Sequence, residues 1–223
     1  MNKNWQQTRE DVITYCLRMQ NERLVYYTAG NISARVYNEP DLIAMTPTSM
    51  PYDALEPDDI CIVTTGGELV DGRRNPTSEL PLHTIPYADR PEIGAIVHTH
   101  SANAMAMANL GWTLPPILTG LVEACGGGVS TAPYSKPSTD EMAHYTADAL
   151  KDRGAAFMRF HGLVAIGADL AHAYQAASVT EGACDVYLKL RTIGEVHELP
   201  EDEIDFIAQW WREQWAPEAS AHH

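Results

Sequence analysis

The sequence predicts an α+β fold, a three-layer α/β/α sandwich on a mainly antiparallel central sheet, and three observations point to it. At 223 residues, 45% of them hydrophobic, the chain can bury one sizeable core and is short for two. Short β-type runs follow one another with turn residues between them, as hairpins do, rather than in regular βαβ alternation. Stretches with helical periodicity precede, separate and follow these runs, so helices are available to cover a sheet. No repeat, low-complexity segment or Pro/Gly/Ser-rich linker divides the chain, which is therefore read as one domain, 1–223.

The elements are justified in order. Over residues 5–24, Val12, Ile13, Cys16 and Leu17 recur at helical spacing and predict an amphipathic opening helix. The runs ISARVY, DLIAMT, ICIVTT and, after Gly66-Gly67, ELVDG predict strands. Thr77-Ser78-Glu79 offers a helix start, with Pro81 tolerable only in the first turn. EIGAIVHTH predicts a strand and SANAMAMANL a helix stopped by Gly111. Residues 140–150 form a further helical patch, and AAFMRFHGLVAIG predicts two short strands around His161-Gly162. Asp169 can cap a long helix reaching Lys189, with Ala173, Ala177, Cys184 and Leu188 on one side. A last helix, roughly 201–215, starts acidic and ends rich in tryptophan.

Composition removes several function classes. The formal net charge is −15, which argues against a nucleic-acid or anionic-membrane partner. No apolar run approaches the length that spans a bilayer, and the first residues lack a secretory pattern. A soluble, cytoplasmic protein is expected. The four cysteines, Cys16, Cys61, Cys125 and Cys184, are far apart and form no C-x-x-C, so they are expected to be reduced and mostly buried. His222 and His223 are set aside as a possible tag remnant.

The chemistry concentrates in the histidines. Residues two apart on a strand face the same way, so His98 and His100 can aim both imidazoles at one divalent ion. The dipeptide alone is a weak signal, equally compatible with core or surface histidines. Its place at a strand-to-helix junction strengthens it, and His161, beside a flexible Gly162, is the best third ligand. Three histidines with an open position make a Lewis-acid site rather than a closed structural one. His83, four residues after Glu79, could share its helix face, but a partly exposed histidine is the plainer reading. His144, His172 and His197 read as surface.

Three polar loops could hold an anion: TAGNISAR at 28–35, MTPTSMPYDAL at 45–55 and NPTSEL at 75–80. Singly each is an ordinary turn or cap. Together they supply hydroxyls and backbone N–H groups for a phosphate at a helix N-terminus. Glu79 follows directly, where a carboxylate could carry protons.

These pieces, Gly30-Asn31-Ile32-Ser33-Ala34-Arg35, Thr46-Pro47-Thr48, Pro76-Thr77-Ser78-Glu79, His98-Thr99-His100, Ala132-Pro133-Tyr134 and His161-Gly162, occur in the order of the class II aldolase/adducin family. The chain resembles that family over nearly its whole length, and most of all its L-fuculose-1-phosphate aldolase branch. The resemblance implies zinc, or another divalent ion such as Mn2+ or Co2+, on His98, His100 and His161. It implies Glu79 as acid/base, also touching the metal, and Gly30, Asn31, Thr48, Ser49, Thr77 and Ser78 as phosphate-binding positions. It further implies a C4 homotetramer with sites between subunits.

The expected reaction is reversible cleavage of a phosphorylated ketose to dihydroxyacetone phosphate and an aldehyde through a metal-stabilised enediolate. Alternatives within the family are a sugar-acid phosphate decarboxylase, an epimerase or a dehydratase; outside enzymology, a non-catalytic adducin-like interaction domain. A generic zinc hydrolase fits less well, since no nucleophile or oxyanion motif presents itself. Ser49 replaces a usual glycine, and Thr77 a common serine. A proton-donating tyrosine of the aldolases maps to Gly120, and a second falls near Gln214 and Trp215. Glu123 or Tyr134 could compensate, although a surface acid and a packed tyrosine are the plainer readings.

Overall fold

The computed structural model describes residues 3–215. Its strands are β1 (Asn31–Val36), β2 (Glu39–Met45), β3 (Cys61–Thr64), β4 (Leu69–Asp71), β5 (Ala95–Thr99), β6 (Thr131–Ala132), β7 (Ala155–Met158) and β8 (Gly162–Gly167). The helices are α1 (Lys3–Asn21), α2 (Leu80–Asp89), α3 (Ala102–Leu110), α4 (Thr119–Cys125), α5 (Asp140–Ala149), α6 (Leu170–Ile193) and α7 (Glu201–Trp215). The strands form one sheet in the order β4-β3-β2-β1-β5-β8-β7-β6. Its ladders are antiparallel apart from the parallel β6–β7 pair.

Period-two alternation divides the sheet's side chains between two cores. Ile32, Ala34 and Val36 of β1, Ala95 and Val97 of β5, and Leu163 and Ala165 of β8 enter one, with residues of α1, α3, α4 and α6. Ile43, Met45, Ile96, Val164 and Ile166 enter the other, with Leu82 and Tyr87 of α2, Met142 of α5 and Trp211 of α7. With both faces covered, all five residues of β5 are buried, which is why that strand reads as a continuous apolar run.

The predicted caps and stops largely hold. Asp169 accepts a hydrogen bond from the His172 N–H at the start of α6 (2.9 Å), and Gly111 ends α3 in the left-handed region. Pro81 lies in the first turn of α2. The opening helix stops at Asn21, short of the expected Leu24, whose N–H turns back to the Met19 carbonyl (2.9 Å). Helix α4 and strand β6 were not foreseen, because seven and two residues are too few to establish a period. The four cysteines are free and buried. Among the described residues no helix is long and apolar enough to cross a membrane.

Candidate metal and carboxylate site

The site gathers where β1, β5 and β8 end side by side. His98 is fully buried on central β5, paired with Asn31 of β1 on one flank and Val164 of β8 on the other. Its Nδ1–H donates to the Leu163 carbonyl (2.9 Å), which fixes the tautomer and leaves the Nε2 lone pair bare. His100 follows the strand, its own N–H anchored on the Leu24 carbonyl (3.0 Å). Its Nε2 lies 2.9 Å from that of His98. His161 occupies the turn between β7 and β8, reached through Phe160 at φ +58°. One ligand atom from each ring lies within 4.8 Å of the others.

Two glycines permit this approach. A Cβ on Gly162 would lie 2.4 Å from the Thr99 carbonyl oxygen and 3.1 Å from the His98 ring. A Cβ on Gly30, at φ +76°, would lie 2.5 Å from the His98 carbonyl oxygen. The role foreseen for Gly162, letting the backbone come close, is met by lack of space rather than by an unusual φ.

Glu79, buried at the N-cap of α2, faces the imidazoles. Its Oε2 accepts from the Asn31 amide (2.8 Å) and lies 3.3 Å from His98 Nε2, while Oε1 lies 3.3 Å from His161 Nε2. These groups fit a divalent ion. Two bare imidazole nitrogens at 2.9 Å repel unless a cation or proton lies between them. Tetrahedral zinc with nitrogen ligands at about 2.0–2.1 Å separates its donor atoms by roughly 3.3 Å. Burial, and then the charges of the neighbouring imidazoles, hold His98 well below the ordinary histidine range. The same causes lower His100 to about 4. Neutral imidazole is the form that binds metal.

The polar loops meet beside this cluster. Thr48 N–H donates to the Asn75 carbonyl and Thr77 N–H to the Thr46 carbonyl (both 3.1 Å), stitching residues 46–49 to 75–78. Thr46 N–H donates to the Ile32 carbonyl (3.0 Å), tying both loops to β1. Thr77 Oγ1 accepts from the Glu79 N–H (3.3 Å), while the hydroxyls of Thr48, Ser49 and Ser78 stand on exposed residues. Ser49 adopts φ +54°, a conformation that favours glycine, so the family's usual glycine at this position has a backbone reason.

His98, His100, His161, Glu79 and Asn31 therefore come together, with Gly30 and the loop residues Thr48, Ser49, Thr77 and Ser78 around them. His83 corrects the sequence reading: it is fully buried, not partly exposed. Its Nε2 bonds Asn31 Oδ1 (2.5 Å) and its Nδ1 bonds Ser33 (2.6 Å). The four-residue spacing from Glu79 was the available signal, but the link runs through Asn31, a long-range partner. Tyr134 is also corrected: it is exposed rather than packed in the core, its ring 5.8 Å from that of Phe160. Glu123, His144, His172 and His197 are exposed as expected. A Cβ on Gly120 would meet nothing within 4 Å, so space is open where the resemblance maps a tyrosine. The side chains of Gln214 and Trp215, and residues His222 and His223, lie outside the described residues.

Residues 10–188 match the family model for the Class II Aldolase and Adducin N-terminal domain. A 5-deoxy-D-ribulose 1-phosphate aldolase of Bacillus thuringiensis serovar kurstaki is 36% identical over 92% of this chain and 95% of its own length. An L-fuculose phosphate aldolase of Escherichia coli (strain K12) is 33% identical over 89% of this chain and 91% of its own. A solved structure of an L-fuculose 1-phosphate aldolase superposes with TM-score 0.88 and 28% identity, covering 92% of this chain and 96% of that one. The fold is the class II aldolase fold, and enzymes of this class depend on a divalent metal. The chain is a carbon–carbon lyase of the aldolase type and belongs to the class II aldolase/adducin family.

Proposed function

We propose that this enzyme reversibly cleaves a 1-phosphorylated deoxyketose into dihydroxyacetone phosphate and a short aldehyde. The observation that carries the reading is the convergence of three imidazoles on the buried carboxylate of Glu79, beside three joined polar loops. His98, His100 and His161 are the proposed ligands of a divalent ion, zinc or else Mn2+ or Co2+. Such an ion, when bound, supplies a Lewis acid that polarises the ketose carbonyl and offsets the negative charge left on the three-carbon fragment.

The chain's own residues do the rest. Gly30, Asn31, Thr48, Ser49, Thr77 and Ser78 bind and orient the phosphate, giving a fixed register between substrate and carboxylate. As the C3–C4 bond breaks, its electron pair stays with C3 and is delocalised towards the carbonyl oxygen. Glu79 takes the proton released by the C4 hydroxyl, which becomes the aldehyde carbonyl, and returns it to C3. The buried setting of Glu79 keeps bulk water from competing for that proton.

The names of the relatives, a 5-deoxyribulose 1-phosphate aldolase and fuculose phosphate aldolases, support both five-carbon and six-carbon deoxyketoses. These yield acetaldehyde and lactaldehyde respectively. We take 1–223 as a single domain, and its two cores support an α/β/α sandwich of three layers. We further propose that the enzyme is a cytoplasmic homotetramer with sites between subunits, without nucleic-acid or membrane partners.

The deciding experiment incubates the metal-loaded enzyme with 5-deoxyribulose 1-phosphate and fuculose 1-phosphate and identifies the products by mass. Two carbon fragments, one of them dihydroxyacetone phosphate, are expected from at least one substrate. Epimerised or dehydrated product from both, without fragments, would overturn the reading. So would a decarboxylation product from a sugar-acid phosphate in the absence of ketose cleavage.

A further inference from the structure

The stripe of α2 that carries Glu79 continues at four-residue steps to His83 and Tyr87, and it packs against Asn31, Ser33 and Arg35, which share one face of β1. The two rows interleave into one string of hydrogen bonds. Tyr87 Oη lies 3.1 Å from Ser33 Oγ, Ser33 Oγ 2.6 Å from His83 Nδ1, His83 Nε2 2.5 Å from Asn31 Oδ1, and Asn31 Nδ2 2.8 Å from Glu79 Oε2. Asn31, Ser33, His83 and Tyr87 are all buried, so water cannot substitute for a missing partner. Arg35 anchors the far end: its guanidinium donates to the Tyr87 carbonyl (2.8 Å) and stacks 4.9 Å from the Tyr87 ring centroid.

The direction of the string follows from chemistry. A carboxylate can only accept, so Asn31 must turn its NH2 group to Glu79 and its carbonyl oxygen to His83. His83 Nε2 must then donate, its Nδ1 must accept from the Ser33 hydroxyl, and the Ser33 oxygen is left to accept from Tyr87. Every bond donates towards Glu79. Burial lowers His83 to about 4, so it stays a neutral relay member with one donor and one acceptor. We propose that His83 is a positioning residue of the reaction: by donating to Asn31 it prevents the carboxamide from flipping and so holds Glu79 in its working geometry. This rests on the aldolase reading above for its kinetic consequence, though not for the direction of the string.

The test combines ring-15N NMR of His83 in the metal-loaded wild type with kinetics of metal-loaded His83→Leu and His83→Gln. The wild type is expected to show the Nε2-protonated tautomer at neutral pH. His83→Leu is expected to bind metal normally and to lose about 10- to 100-fold in kcat with little change in KM. In His83→Gln the amide nitrogen stands near the former Nε2–H, and kcat is expected to recover to within about threefold of wild type. A merely structural role would lower Tm without separating kcat from KM or Leu from Gln. Should the leucine variant fail to fold, Ser33→Ala replaces it; expected are a mixed tautomer and lowered kcat. Wild-type kcat in His83→Leu or Ser33→Ala, or equal loss in the leucine and glutamine variants, overturns the proposal. An Nδ1-protonated His83 in the wild type overturns it whatever the activity. A wild type that cleaves no ketose phosphate sinks the aldolase reading instead, and the tautomer alone then decides the string.

Discussion

Glu79 and Asp59 are both buried carboxylates, yet their surroundings suit opposite tasks. Asp59 is fully buried at the end of a short turn before β3. It accepts from Arg73 (2.7 and 3.0 Å), from Arg74 (2.9 Å) and from the Glu56 N–H (3.0 Å). The Arg73 guanidinium is the largest influence and, with Arg74 and the Glu56 amide, outweighs burial to hold Asp59 below the usual carboxylate range. Glu79 has one amide donor, Asn31 (2.8 Å), and faces the imidazoles of His98 and His161, each at 3.3 Å. Fixed cations lock a proton out of Asp59, whereas the carboxylate of Glu79 is held by a neutral amide and turned towards the imidazole cluster. A carboxylate's partners, more than its burial, decide whether it holds the fold or serves chemistry.

The largest expected effect comes from removing a ligand on the Glu79 side. His161→Ala should lose its bound metal by elemental analysis and at least about 10³-fold in kcat/KM; an active, metal-bound variant would break the comparison outright. Next, Glu79→Gln should lower kcat by about 10²- to 10⁴-fold while the protein still binds metal. Asp59→Asn should do the reverse, lowering Tm by about 4–8 °C and leaving the kcat of the folded enzyme unchanged. Equal kcat losses in the two variants would erase the distinction.

A smaller effect separates the regions by pH. Unfolded histidine takes up a proton near pH 6.5, whereas buried His83 does so only near 4. The unfolded state therefore binds more protons between these values, and stability falls as pH drops through that window. His83 accounts for about 2 kcal/mol of stability lost between pH 7 and pH 5. For Asp59 the folded pKa is depressed, so its contribution is intact above the ordinary carboxylate range and is lost only at more acidic pH. Urea melts of wild type against His83→Gln should show the gap at pH 5, with no corresponding gap for Asp59→Asn between pH 7 and 5. The smallest change is expected from Ser78→Ala, which should raise KM for a ketose phosphate by about fivefold at constant kcat. A fall in kcat alone would move Ser78 from phosphate binding to the chemistry.

Much was legible because local rules carried it. Strands β1, β2, β5 and β8 announced themselves by apolar runs between turn residues, and α3 and α6 by their glycine stop and aspartate cap. His98 and His100 were readable as a pair because strand geometry relates residues two apart. Other features resisted because their causes are distant in sequence. Glu181 caps α3 through the N–H groups of Asn103 (3.0 Å) and Ala104 (2.8 Å) from 78 and 77 residues away. His83 is buried because Ser33 and Asn31 satisfy both ring nitrogens from another element. Tyr134 is exposed, its ring set against that of Phe160 on another turn of the chain.

The sequence by itself determined the elements and the chemical inventory: three histidines, one carboxylate and three hydroxyl-bearing loops, each set by periodicity, caps and residue type. Only the tertiary structure decided which polar groups are partners. Sheet order sets Asn31 beside His98, and the docking of α2 on β1 turns five separate residues into one directed string. Hydrogen bonds between elements depend on register and packing, which no local pattern encodes.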